Sequence, residues 1–130
     1  VSKDYNIFEF QAAIGKKDID KCHRIANYFS ANPKKNPIIV IINSLYGYFT
    51  KVWMTQSLFN LDDKTLAKRI GIYSSFFVKE YRMAARNYSP QKIVSILQVL
   101  YKFDRYSKGI DNRNPTEGEL LKELVYQILT

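Results

Sequence analysis

A chain of 130 residues that is 46% hydrophobic and 25% charged can build one domain, and it is too apolar to be disordered throughout. Its single cysteine, Cys22, excludes an intramolecular disulfide and any cysteine-based metal cluster, and it suits a reducing, cytoplasmic setting. The formal charge of +8 permits contact with nucleic acid or an acidic partner but selects neither.

The positive surplus is uneven. Residues 1–61 hold eight basic and four acidic side chains, residues 62–113 eleven and five, and residues 114–130 one and three. The chain opens on Val1 with no initiator Met, which suggests a piece of a longer protein, and Val1-Ser2-Lys3-Asp4 has no signal-peptide character. The most apolar run, Ile38 to Ile42, is five residues long. A membrane span needs about 20, so no membrane contact is expected.

Almost every segment reads as helix. Residues 5–14 put Ile7, Phe10 and Ile14 on one side, with Gly15 as the stop. Asp18 is placed to cap a second helix whose stripe is Ile19, Cys22, Ala26 and Phe29, closing at Asn32-Pro33. Asn36-Pro37 reads as a cap and proline start for the longest helix, Pro37 to Phe59. There Ile38, Ile41, Ile42, Leu45, Phe49, Val52, Trp53 and Gln56 recur at three- and four-residue steps. Ile38–Ile42 alone could be a buried strand, but the length and the continuing period favour a central helix touched from several sides. Gly47 in its interior predicts a close helix crossing.

Asp62 or Asp63 caps a short fourth helix, Lys64 to Ile70, stopped by Gly71. A fifth runs from Ser74 to Asn87, with Phe77, Tyr81, Ala84 and Tyr88 as its buried line. Lys79, Arg82 and Arg86 fall on the opposite face. Ser89-Pro90 begins the sixth helix and Gly109 ends it, with Ile93, Ile96, Leu97 and Leu100 as its stripe. Asp104 projects within about 20° of Ile93, so a carboxylate prolongs the apolar stripe, and Lys108 follows one turn later. Asn114-Pro115-Thr116-Glu117 reads as cap, proline and capping-box Glu for a last helix that buries Leu120, Leu121, Leu124, Val125 and Ile128. The expectation is an all-α fold, one compact domain over residues 1–130, with about seven helices around the helix at 37–59.

Catalytic chemistry is not indicated, and no cofactor or metal is expected. His23 is the only histidine, so a histidine-based metal site fails on ligand count. Cys22 and His23 point about 100° apart on a helix, which argues against a nucleophile–base pair and leaves Cys22 to the core. No glycine-rich phosphate loop is present. Lys79, Arg82 and Arg86 align three cations over about 10 Å, spaced to follow a phosphate backbone. They are the candidate nucleic-acid contact, and the alternative is the solvated face of a basic protein. Tyr73, Tyr101 and Tyr106 look free to stack. Asp104 and Lys108 read as a structural ion pair, obligatory if the carboxylate is buried and worth a few tenths of a kcal/mol if it is exposed.

Four stretches together carry a family likeness. Phe8-Glu9-Phe10-Gln11-Ala12-Ala13-Ile14-Gly15-Lys16-Lys17-Asp18 looks like the opening F-x-x-x-A-I-G-x-x-D. A hydrophobic helix follows Pro37. Leu66-Ala67 through Gly71-Ile72 to Phe77-Val78 is similar to L-A-x-x-L-G-V-x-x-F-x-V. Ala85-Arg86-Asn87-Tyr88-Ser89, with Asp104 and Lys108-Gly109 beyond it, is like A-R-x-Y-S … L-x-x-x-D-x-x-x-K-G. In this order the stretches resemble the C-terminal domain of the delta subunit of the bacterial DNA polymerase III clamp loader. Tyr73-Ser74-Ser75 departs from the prolines often found there, and Gly118 is uncommon at its place.

That resemblance implies a helical collar domain with no catalytic role, inside an assembly that serves a DNA-directed DNA polymerase. Its partners would be the matching domains of gamma/tau and delta-prime type subunits. The sliding clamp would be reached only through an N-terminal domain this chain lacks, and DNA only indirectly. The alternative from the residues alone is a stand-alone basic helical module that binds DNA.

Overall fold

Capping side chains set most of the helix starts. In the computed structural model, which describes residues 4–111 and 115–130, there are seven α-helices and no strand among the described residues. They are α1 (Ile7–Lys16), α2 (Ile19–Ala31), α3 (Ile38–Ser57), α4 (Asp63–Ile70), α5 (Val78–Asn87), α6 (Pro90–Ser107) and α7 (Glu117–Leu129). A single 3-10 turn, Ser75–Phe77, precedes α5. The side chains of Asp18, Asp62 and Ser89 accept from Lys21, Thr65 and Lys92 N–H groups, as their positions predict. Glycine ends α4 and α6: Gly71 and Gly109 both sit at φ +80, where a Cβ would be strained.

The helices close into a ring. Helix α1 packs on α2 and α5, α2 on α7, α7 on α6, α6 on α3, and α3 on α5. Helix α3 also meets α1 and α4, so it touches more of the other α-helices than any of them does, while the α2–α7 pair closes the far side. The interior is filled by Phe10, Phe29, Leu45, Phe49, Ile93, Leu100, Phe103, Leu124 and Ile128. A satellite core of Leu66, Ala67, Ile70 and Val78 fastens α4 onto the end of α3, through Met54 and Leu58. All five residues expected to be buried on α7 are buried.

Several expectations are corrected. Gly15 does not stop α1, which runs on to Lys16 and ends with Lys17 in the left-handed region at φ 55. The close crossing lies at Gly15 rather than Gly47. A Cβ on Gly15 would collide with the Tyr48 hydroxyl and lie 3.3 Å from Ala84 Cβ, whereas Gly47 has nothing within 4 Å. Proline 37 is itself the cap residue of α3 and has no side chain to offer. The Glu117 carboxylate, from the start of α7, instead accepts the Ile38 N–H at 3.4 Å. The cap of α7 is Thr116, which accepts from Glu119 N–H at 3.1 Å, two residues beyond the capping box read from the sequence; Asn114 lies outside the described residues. Ile19, Trp53 and Phe77 are exposed, and Tyr48 and Thr55 are buried in their stead on the long helix.

Candidate functional site

The stretch Ala84 to Ser89 does structural work at every position but one. Ala84 is fully buried against Gly15. The Asn87 side chain donates to the Gly15 carbonyl at 2.8 Å and the Tyr88 hydroxyl to the Ile14 carbonyl at 2.6 Å, so the open carbonyl end of α1 is satisfied by α5. Gln56 of α3 in turn donates to the Ala85 and Tyr88 carbonyls at 3.1 and 2.7 Å. Ser89 caps α6. Arg86 takes no part in these bonds and stays exposed, its guanidinium 5.2 Å from the Phe59 ring centroid.

The three cations of α5 do not form one exposed row. Arg82 turns inward: its side chain is 15% exposed, pairs with Asp63 at 2.9 Å, and donates to the Phe59 and Leu61 carbonyls at 2.7 and 2.6 Å. It is a clamp on the turn from α3 to α4. Lys79 and Arg86 remain outside. Spacing along α5 cannot reveal this, because the groups that claim Arg82 come from a loop some twenty residues earlier.

Asp104 and Lys108 do pair, at 2.9 Å, but on the surface. Phe103 takes the buried place that continues Ile93, Ile96 and Leu100, leaving the Asp104 side chain 24% exposed at the edge of the stripe. Cys22 is buried as its stripe position predicts, and His23 beside it is exposed. Burial, and then the charge of Asp18, push the Cys22 thiol up to about 12. Of the three tyrosines expected to be free, Tyr106 packs edge-on against Phe103 at 5.3 Å, while Tyr73 and Tyr101 are exposed. Among the described residues no group of three or more His, Cys, Asp or Glu side chains could hold a metal. No described helix is long and apolar enough to cross a membrane.

What the structure does assemble is an aromatic cleft of about 520 Å³. Helix α1 supplies Phe8 and Gln11, α3 supplies Tyr48, the link after α4 supplies Ile72 and Tyr73, and α5 supplies Phe77, Glu80 and Tyr81. Its shape comes from the local chain. After Gly71 the backbone turns, and Ser74 Oγ accepts from Phe76 N–H at 3.1 Å, which starts the 3-10 turn. Phe76 and Phe77, stacked edge to face at 5.3 Å, are thereby held outside the core. Phe8 is 72% exposed, Phe76 80%, and Tyr73 fully exposed.

At the floor, the Tyr48 and Tyr81 rings lie 5.4 Å apart. Burial pushes both phenols up, with neighbouring tyrosines adding to the effect at Tyr48 and the Glu80 charge acting on both. Phe8 was legible as a candidate, since it falls off the Ile7, Phe10 and Ile14 stripe. Phe76 and Phe77 were not, because a 3-10 turn has no apolar period to read.

No protein family, curated protein or solved structure matches this chain.

Proposed function

We propose that this chain is a non-catalytic assembly domain, the collar domain of a clamp-loader delta subunit acting in cytoplasmic DNA replication. The observation that carries the assembly role is the set of exposed rings Phe8, Tyr73 and Phe77 lining one apolar cleft, with exposed Phe76 stacked on Phe77. Contiguous apolar surface of this kind, on an otherwise charged protein, marks a contact with another protein. The particular assembly is supported by the order and spacing of the four sequence stretches described above. Their partners would be gamma/tau and delta-prime type subunits, with the sliding clamp engaged only by a domain outside this chain.

Size-exclusion chromatography with those subunits tests the reading. Co-elution is expected, and the Tyr73→Ser/Phe76→Ser variant should associate at least ten-fold more weakly with an unchanged melting temperature. Failure of the wild-type chain to associate removes the collar role. DNA binding by the chain that weakens steeply with salt would instead favour the basic module, for which exposed Lys79 and Arg86 would be the contacts.

A further inference from the structure

We propose that the aromatic cleft receives a basic side chain, a lysine ammonium or arginine guanidinium that a partner protein presents between apolar residues. The inference rests on the docking reading only in that a partner supplies the side chain; it does not depend on which assembly that partner belongs to.

Charge comes first. Among the described residues Glu80 is the only charged one lining the cleft. It stands in the first turn of α5, where the helix dipole favours a carboxylate, and it is in no ion pair with a described residue. Lys16 lies across a narrow adjoining hollow that Glu80 also lines, and the two make no ion pair.

The other polar groups have the same sense. Gln11 spends its amide N–H on Ser44, which leaves its carbonyl oxygen as the acceptor. Tyr48, only 6% exposed, turns its hydroxyl toward Gly15 and lends the cleft its ring alone. The five rings of Phe8, Tyr48, Tyr73, Phe77 and Tyr81 line the cleft, and aromatic faces attract cations, more strongly once water is excluded.

Three kinds of occupant can be compared. An anion would meet a carboxylate and the negative faces of rings. A neutral apolar group would cover the Glu80 carboxylate without giving it a partner, which is costly. A cation on an apolar stem meets an acceptor, a counter-charge and ring faces together. The volume of about 520 Å³ exceeds one such side chain and leaves room for the apolar residues beside it, which exposed Tyr73 and Phe77 would cover.

The test is a titration of the full chain with N-acetyl-arginine amide and with its neutral isostere N-acetyl-citrulline amide, followed by aromatic NMR resonances. Arginine amide should shift the Tyr48, Tyr73, Phe77 and Tyr81 rings, binding at least five-fold more tightly than citrulline amide. Glu80→Gln should weaken it five-fold or more and abolish the preference; Glu80 is exposed, so the variant should melt like wild type. Equal binding of the two compounds, no shift with either, or an unchanged affinity in Glu80→Gln overturns the proposal. The charge preference can persist while association with loader subunits fails. In that event the collar reading falls and the cation site stands.

Discussion

A methyl group added at Gly15 has nowhere to go, since the Tyr48 hydroxyl of α3 and Ala84 of α5 already occupy the space beside it. Both neighbours are buried, so the strain cannot be released outward. Gly15→Ala should therefore cost about 1–3 kcal/mol, the usual penalty for overpacking. Gly47→Ala should do the reverse, because its site is open and alanine is favoured over glycine in a helix interior by about 0.5–1 kcal/mol. Urea midpoints of the two variants check both signs; a destabilised Gly47→Ala would mean that α3 has a neighbour at that turn. The Asp104–Lys108 pair is a second correction at this scale. On a buried stripe its loss would cost several kcal/mol, but at the exposure found Asp104→Ala should lose no more than about 0.5 kcal/mol. A midpoint shift beyond 1 kcal/mol would place the carboxylate in a drier setting than the one found.

Between elements, the Arg82 guanidinium decides how the chain passes from α3 to α4. Its fork serves two backbone carbonyls and one carboxylate in the same small region, while its plane lies 5.0 Å from the Phe59 ring centroid. Removing it would strand the Phe59 and Leu61 carbonyls, both held by a charged donor. Arg82→Ala is expected to lose about 1.5–3 kcal/mol in urea unfolding. Arg82→Lys should recover less than half of that, since one ammonium cannot reproduce the planar fork. Full rescue by lysine would reduce the residue's role to its charge. The α1–α5 junction follows the same logic with neutral groups: Asn87 and Tyr88 close the carbonyl end of α1, and Gln56 closes that of α5. The stretch 85–89, one of the four that carry the family likeness, is thus largely a helix-end fastener.

For the whole molecule, buried acids that stay neutral set the alkaline limit. The Cys22 thiol is pushed up from 9.0 to about 12, and the Tyr48 and Tyr88 phenols go up from 10.0 for the same reason, burial. Each group releases its proton more readily in the unfolded chain than in the folded one. The stability they contribute is therefore complete below pH 9 and is lost as pH rises from 9 toward 12 and beyond, at up to about 1.4 kcal/mol per pH unit for each group ionised only when unfolded. Urea midpoints measured from pH 8 to 11 should hold level and then fall; a level profile throughout would mean these groups reach water in the native state. Thiol-labelling of Cys22 should track global unfolding for the same reason.

By itself the sequence determined the all-helical class, most helix bounds to within a few residues, and the core stripes of α6 and α7, from Ile93 to Leu100 and from Leu120 to Ile128. Those features are local, since a helix period, a capping Asp or Ser, and a glycine at positive φ act within about one turn of themselves. Only the tertiary structure decided which glycine sits at the crossing, that Arg82 faces inward, and that Phe8, Tyr73, Phe77 and Glu80 share one cleft. Each of those depends on groups far apart in the chain. A stripe on one helix carries the same pattern whether it meets the core, a clamp or a partner, and only packing tells these apart.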